Sequence, residues 1–228
     1  MKVRVDQRFL LPLSQYRLHD EQITDQWSSW RPAVWLVAAH GGAGVTTLAC
    51  QIGPCGDAGG QFPVKDDSPL CVVVCRATSH GLEAAHNVVL QAQGGLAGHC
   101  EVIGVIVVAD TPGKIVKRLT HKIDVISQLT TVWQVPYLRQ LAIQDRDDGL
   151  ELEIFPWTPD YHPEVKRRRL RGKTKKIDVT SIVHPVVADI AGELMALARK
   201  RYVEIFGLET APSSDNAKDN DQPDQEEG

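Results

Sequence analysis

The sequence predicts an α/β protein, a mostly parallel sheet flanked by helices, with an extension at each end. Three observations carry this reading. Continuous apolar runs recur at 33–38, 70–75 and 102–109, as strands buried on both faces require. Segments with apolar residues at helical spacing lie between the later runs. A glycine-rich turn follows the first run and leads into a helical segment. Strand–helix alternation with right-handed crossovers closes into a parallel sheet covered by helices.

Taken in order, residues 1–31 form an extension. Val3-Arg4-Val5 and Phe9-Leu10-Leu11 offer a short edge strand there, and Trp27 and Trp30 offer anchors to the body. The first core strand is Ala33–Ala38. The helix beginning near Thr46 is short, because Gly53-Pro54 breaks it. Residues 53–69, rich in Gly, Pro and Asp, read as a loop. Leu70–Cys75 is a buried strand, and Leu82, Ala85, Val89 and Ala92 mark one face of the next helix. Val102–Ala109 is a strand. Ile115, Leu119, Ile123, Ile126 and Leu129 mark a helix over 114–129, and Thr131–Val135 is a short strand ended by Pro136. Asp145–Arg171 is less regular, with Leu152–Trp157 as a strand candidate. A long helix from about Ile182 to Phe206 carries Ile190, Leu194, Leu197, Tyr202 and Ile205 as its apolar stripe, and Gly207 ends it. One domain over 32–207 therefore sits between the extension and a tail at 208–228.

Bulk properties narrow the class. The chain has 228 residues and a formal net charge of −4, enough length for one self-sufficient core. No apolar run is long enough to span a bilayer, and Met1–Asp6 has no signal-peptide pattern, so a cytoplasmic location is expected and membrane partners are not. The five cysteines, Cys50, Cys55, Cys71, Cys75 and Cys100, lie in apolar surroundings and suit buried thiols in a reducing compartment. Cys71 and Cys75 share one strand, too far apart for a direct bridge. No Cys/His spacing suggests zinc. Residues 209–228 hold seven acids and one lysine, a composition that predicts disorder.

The turn after the first strand carries the chemistry. Gly41, Gly42 and Gly44 permit positive φ, so successive N–H groups can form an anion nest, and Thr46 offers a hydroxyl to Mg²⁺. This is the layout of a phosphate-binding P-loop. His40-Gly41-Gly42-Ala43-Gly44-Val45-Thr46-Thr47 resembles the deviant Walker A box of the MinD/ParA family of P-loop ATPases, which reads Lys-Gly-Gly-x-Gly-Lys-Thr-Thr. The glycines and both threonines match. Both lysines are replaced, by His40 and Val45. The resemblance covers roughly residues 33–145, and the pattern is also similar to an uncharacterised actinobacterial family whose Walker A lacks the lysine. It implies a P-loop NTPase-like fold, ATP or ADP with Mg²⁺ as cofactor, and a homodimer. The missing lysines point away from hydrolysis and from the sandwich dimer that the signature lysine supports in that family.

Two readings of Asp110 stand. Val105–Gly113 looks like a Walker B strand followed by an Asp-x-x-Gly switch. Chain order instead aligns Cys71–Ser79 with the family's strand after Walker B, Glu101–Val108 with its strand ending near the base, and Thr131–Tyr137 with its Ile-Pro-Tyr strand. Asp110 then lies near the base or the dimer face. On this second reading the Walker B unit is deleted, because only about 20 residues separate Thr47 from Leu70 and a crossover unit needs about 30.

Lys166, Arg167, Arg168, Arg169, Arg171, Lys173, Lys175 and Lys176 make eight basic residues in eleven. Such a run suits DNA phosphates, a protein partner or the acidic tail, or an anionic membrane surface; without interleaved aromatics it does not suit single-strand stacking. His40 either donates to a phosphate or caps its turn. The sequence thus points to a pseudo-ATPase acting as an assembly, adaptor or regulatory protein with a protein partner. Its alternatives are a DNA-associated partition or mobile-element module working through 166–176, and an active hydrolase using Lys114 or a partner's lysine.

Overall fold

The computed structural model describes residues 32–64, 67–142, 156–159 and 183–207. The 1–31 extension, most of the 145–171 stretch, the 166–176 basic run and the 208–228 tail lie outside the described residues. The elements run β1 (Val34–Ala38), α1 (Val45–Gln51), β2 (Cys55–Asp57), β3 (Leu70–Arg76), α2 (Ser79–Gln93), β4 (Glu101–Val108), α3 (Lys117–Ser127), β5 (Thr131–Val135), α4 (Arg139–Ala142) and α5 (Pro185–Phe206). All four strand pairings are parallel, in the order β2-β1-β3-β4-β5.

The apolar runs are continuous because both faces of the sheet are covered. In β3, Leu70, Val72 and Val74 face a core shared with Leu48 of α1 and Val187 and Leu194 of α5. Cys71, Val73 and Cys75 face the opposite core, shared with Leu82 and Val88 of α2 and Ile126 of α3. Polar pins hold α5 in place: Trp133 Nε1–H donates to Glu193 at 2.9 Å, Arg201 pairs with Glu101, and Tyr202 donates to the Ala33 carbonyl at 3.0 Å. Among the described residues, no helix is long and apolar enough to cross a membrane.

Four expectations change. The stretch 53–69 is not wholly a loop, because Cys55–Asp57 pairs with the free edge of β1. Its central glycine permits this, since a Cβ at Gly56 would lie 2.5 Å from the Trp35 ring and from Pro32. The helix joining β1 to β2 is α1 itself, and the three-residue β2 is the one element between it and Leu70 among the described residues. The long helix starts at Pro185, with His184 as its N-cap accepting the Val186 N–H at 3.2 Å. Ile205 at the end of its stripe is exposed. Of the cysteines, Cys50 is exposed and the other four are buried; burial pushes the Cys75 thiol up to about 12. Within 145–171 the described residues are 156–159, where Trp157 forms an isolated parallel bridge with Ile52.

The strand order positions the site. From β1 the chain steps to β2 on one side, then crosses to β3 on the other. Loops leaving the carboxyl ends of β1 and β3 therefore diverge and open a crevice, the usual ligand position of doubly wound sheets.

Candidate functional site

The crevice is a cleft of about 820 Å³. Its floor is the glycine turn. Ala39 N–H still bonds Val74 of β3 at 2.9 Å, so the chain is in register with the sheet until His40. Gly42 and Gly44 then take φ of 74° and 99°, which a side chain would resist. Gly44 caps α1, and Leu48 N–H reaches its carbonyl at 3.0 Å. Ala43 and Val45 are buried in the core under the turn, so the residue standing in the lysine position borders the cleft with an apolar, buried side chain and brings it no charge. Gly41, Gly42, Thr46 and Thr47 line the cleft.

His40 is fully engaged. Its Nε2 accepts the Arg76 backbone N–H at 3.1 Å, and its Nδ1 lies 2.8 Å from the Gly41 carbonyl. With Nε2 accepting from the Arg76 N–H, Nδ1 is the nitrogen left to donate to the Gly41 carbonyl. Of the two roles expected for His40, this geometry fits the structural one. Gly81 lets α2 approach this staple; a Cβ there would lie 2.8 Å from His40 Nε2 and 2.4 Å from the Arg76 carbonyl.

Two cleft residues escaped the sequence reading. Arg76 ends β3 and lines the cleft. Its Nε donates to the Gly42 carbonyl at 3.3 Å and its Nη1 to the Ala109 carbonyl at 3.2 Å. Among the described residues it forms no ion pair with a carboxylate. Asp57 ends β2. Its Oδ2 accepts from the Thr46 hydroxyl at 2.7 Å and its Oδ1 from the Gly59 N–H at 2.8 Å. Each is the first polar residue at the carboxyl end of its strand, the signal that could have found them.

The outer wall comes from the end of β5 and α4, with Tyr137, Leu138 and Leu141. Opposite them Gln51 of α1 is fully buried; its amide N–H bonds the Thr47 carbonyl at 3.2 Å and its Oε1 has no partner. His80 is exposed at the rim, its ring 6.0 Å from that of His40. Asp110 follows β4, one strand further from β1 than β3 is, and neither it nor Lys114 lines the cleft. The basic candidates Lys166–Lys176 lie outside the described residues. Among the described residues no group of three or more His, Cys, Asp or Glu is arranged to hold a metal ion.

The family described as a family of unknown function, DUF6668, matches residues 32–147, just over half of the chain. The chain belongs to this family. The DUF6668 segment runs from the residues before β1 to just past α4, and so contains the glycine turn, Asp57, Arg76 and the outer wall; α5 lies beyond it. No curated protein and no solved structure matches the chain.

Proposed function

We propose that this protein is a P-loop-like member of the MinD/ParA kind that seats a phosphate-bearing ligand, ATP or ADP with Mg²⁺, on Gly41–Thr47 without using it as a fuel. It acts as an assembly, adaptor or regulatory subunit whose signal is ligand occupancy. The observation carrying this reading is the Thr46–Asp57 pair beside a glycine turn with two positive-φ glycines. A hydroxyl and a carboxylate side by side are hard oxygen donors that suit Mg²⁺. When bound, that ion would neutralise phosphate charge. Asp57, rather than Asp110, is then the counterpart of the Walker B aspartate, because β2 lies directly beside β1.

The hydrolytic role is the part this reading leaves out. The lysine position is a buried valine, and neither Lys114 nor Asp110 reaches the cleft. Transition-state charge on a phosphoryl group is ordinarily met by such a lysine together with the metal.

Calorimetric titration with ATP, ADP and GTP, with and without Mg²⁺, tests the proposal, with Thr46→Ala and Gly44→Val as controls. Micromolar binding lost in both variants is the expected result. No binding at millimolar nucleotide would reduce the turn to packing, and ATP turnover abolished by Thr46→Ala would overturn the non-hydrolytic reading.

A further inference from the structure

We propose that Arg76 supplies the positive charge that Val45 withholds, its guanidinium clamping a phosphate group seated on the Gly41–Gly44 turn. The inference rests on the phosphate-ligand reading above and deepens it by naming the cation.

The argument starts from what Arg76 lacks. It is only partly exposed, stands at the cleft and has no carboxylate partner among the described residues. A guanidinium taken partly out of water without a counter-charge is costly, and hydrogen bonds to neutral carbonyls offset that cost only in part. Its two hydrogen bonds go to main-chain carbonyls, Gly42 on the turn and Ala109 after β4. An arginine carries five N–H donors, so one on Nη1 and both on Nη2 stay uncommitted. The Gly42 bond fixes the group beside the turn whose N–H groups would hold the anion. Arg76 leaves the sheet from β3, the strand next to β1, so its charge enters from the side opposite Asp57 on β2. A ligand between them would meet its metal site on one flank and its cation on the other.

The neighbourhood is arranged for that placement. The Arg76 backbone is held by His40, and Gly81 gives α2 the clearance to start against it. His40, with both nitrogens engaged, leaves the clamp to the arginine. A planar guanidinium also suits paired phosphate oxygens better than an ammonium does.

The full chain is titrated with Mg-tripolyphosphate and with Mg-ATP by calorimetry, alongside Arg76→Ala, Arg76→Gln and Arg76→Lys, each checked by thermal melting. Loss of a charge-assisted contact predicts a roughly tenfold to hundredfold weaker affinity for both ligands in Arg76→Ala. Arg76→Lys keeps the charge and falls least. Arg76→Gln keeps a donor without charge and falls with the alanine variant. Wild-type affinity in Arg76→Ala or Arg76→Gln overturns the clamp while leaving the phosphate reading intact. Equal losses in all three variants, accompanied by lower melting temperatures, overturn it in favour of a mere brace for the turn. Absence of binding by the wild-type protein to either probe at millimolar concentration removes both inferences together.

Discussion

His40 and Arg76 are stapled to each other across the floor of the cleft, the Arg76 backbone N–H donating to His40 Nε2 at 3.1 Å. Through His40 the turn after β1 is fastened to the end of β3. Replacing His40 by alanine strands the Arg76 N–H and frees the turn. A lost acceptor of this kind costs about 1–3 kcal/mol. The expected outcome is a lower denaturant midpoint with an unchanged slope, together with faster amide exchange at Arg76. A lysine at position 40 should behave like the alanine, since it has no acceptor to offer. Wild-type stability in both variants would show that the staple carries no weight.

A second prediction concerns the Thr46–Asp57 pair. If the two oxygens hold Mg²⁺, Asp57→Asn and Thr46→Ala should remove the part of nucleotide affinity that depends on the ion and spare affinity measured in a chelator. Asp110→Asn should leave both unchanged, because Asp110 does not line the cleft. Calorimetry with and without Mg²⁺ separates the cases. Metal-dependent loss in Asp110→Asn and not in Asp57→Asn would return the metal role to the end of β4.

Why the site was only half legible follows from these residues. Leu70–Cys75 and Val102–Ala109 announce themselves as strands because burial on both faces leaves no polar alternation. The glycine turn is equally plain, since its backbone needs positive φ at Gly42 and Gly44. Asp57 was hidden because Cys55-Gly56-Asp57 has neither length nor β-propensity; it is a strand only because β1 offers a free edge. Asp110 drew attention because it ends a long apolar run and precedes Thr-Pro-Gly. Which strand lies beside which is a matter of sheet order, and that is not written in any local pattern. Arg76 was missed for the same reason, its importance lying in a contact with Gly42, 34 positions away.

The third prediction tests the hidden strand. Gly56 sits where Trp35 and Pro32 close over β2, each leaving 2.5 Å for a Cβ. The obstacles are rings packed in a core, so they cannot swing aside cheaply. Overpacking of this kind costs about 1–3 kcal/mol. Gly56→Ala should lower stability by that amount and, by pushing β2 off β1, carry Asp57 away from Thr46. Gly60→Ala, where a Cβ meets nothing within 4 Å, is the control. Denaturant unfolding reads the first effect and Mg²⁺-dependent nucleotide binding the second. A neutral Gly56→Ala in both measurements would mean that β2 tolerates displacement.

The last prediction is a pH dependence. Burial holds the His184 imidazole below its ordinary range, and burial likewise lowers His86, opposed by Glu83 and aided by Lys122. His184 also caps α5, accepting the Val186 N–H through Nδ1, a bond that protonation of Nδ1 would destroy. The unfolded chain therefore binds protons more readily at these sites than the folded one. Stability from them is complete above the unfolded value of about 6.5 and is lost as pH falls toward the folded value. Replacing His184 by asparagine keeps a capping oxygen and removes the titration. The difference in unfolding free energy between wild type and His184→Asn should thus be constant above neutrality and shift in favour of the variant below about pH 6.5. Carboxylates elsewhere titrate equally in both proteins and cancel. A difference that stays flat from pH 8 to pH 5 would show that His184 titrates alike in the folded and unfolded chain.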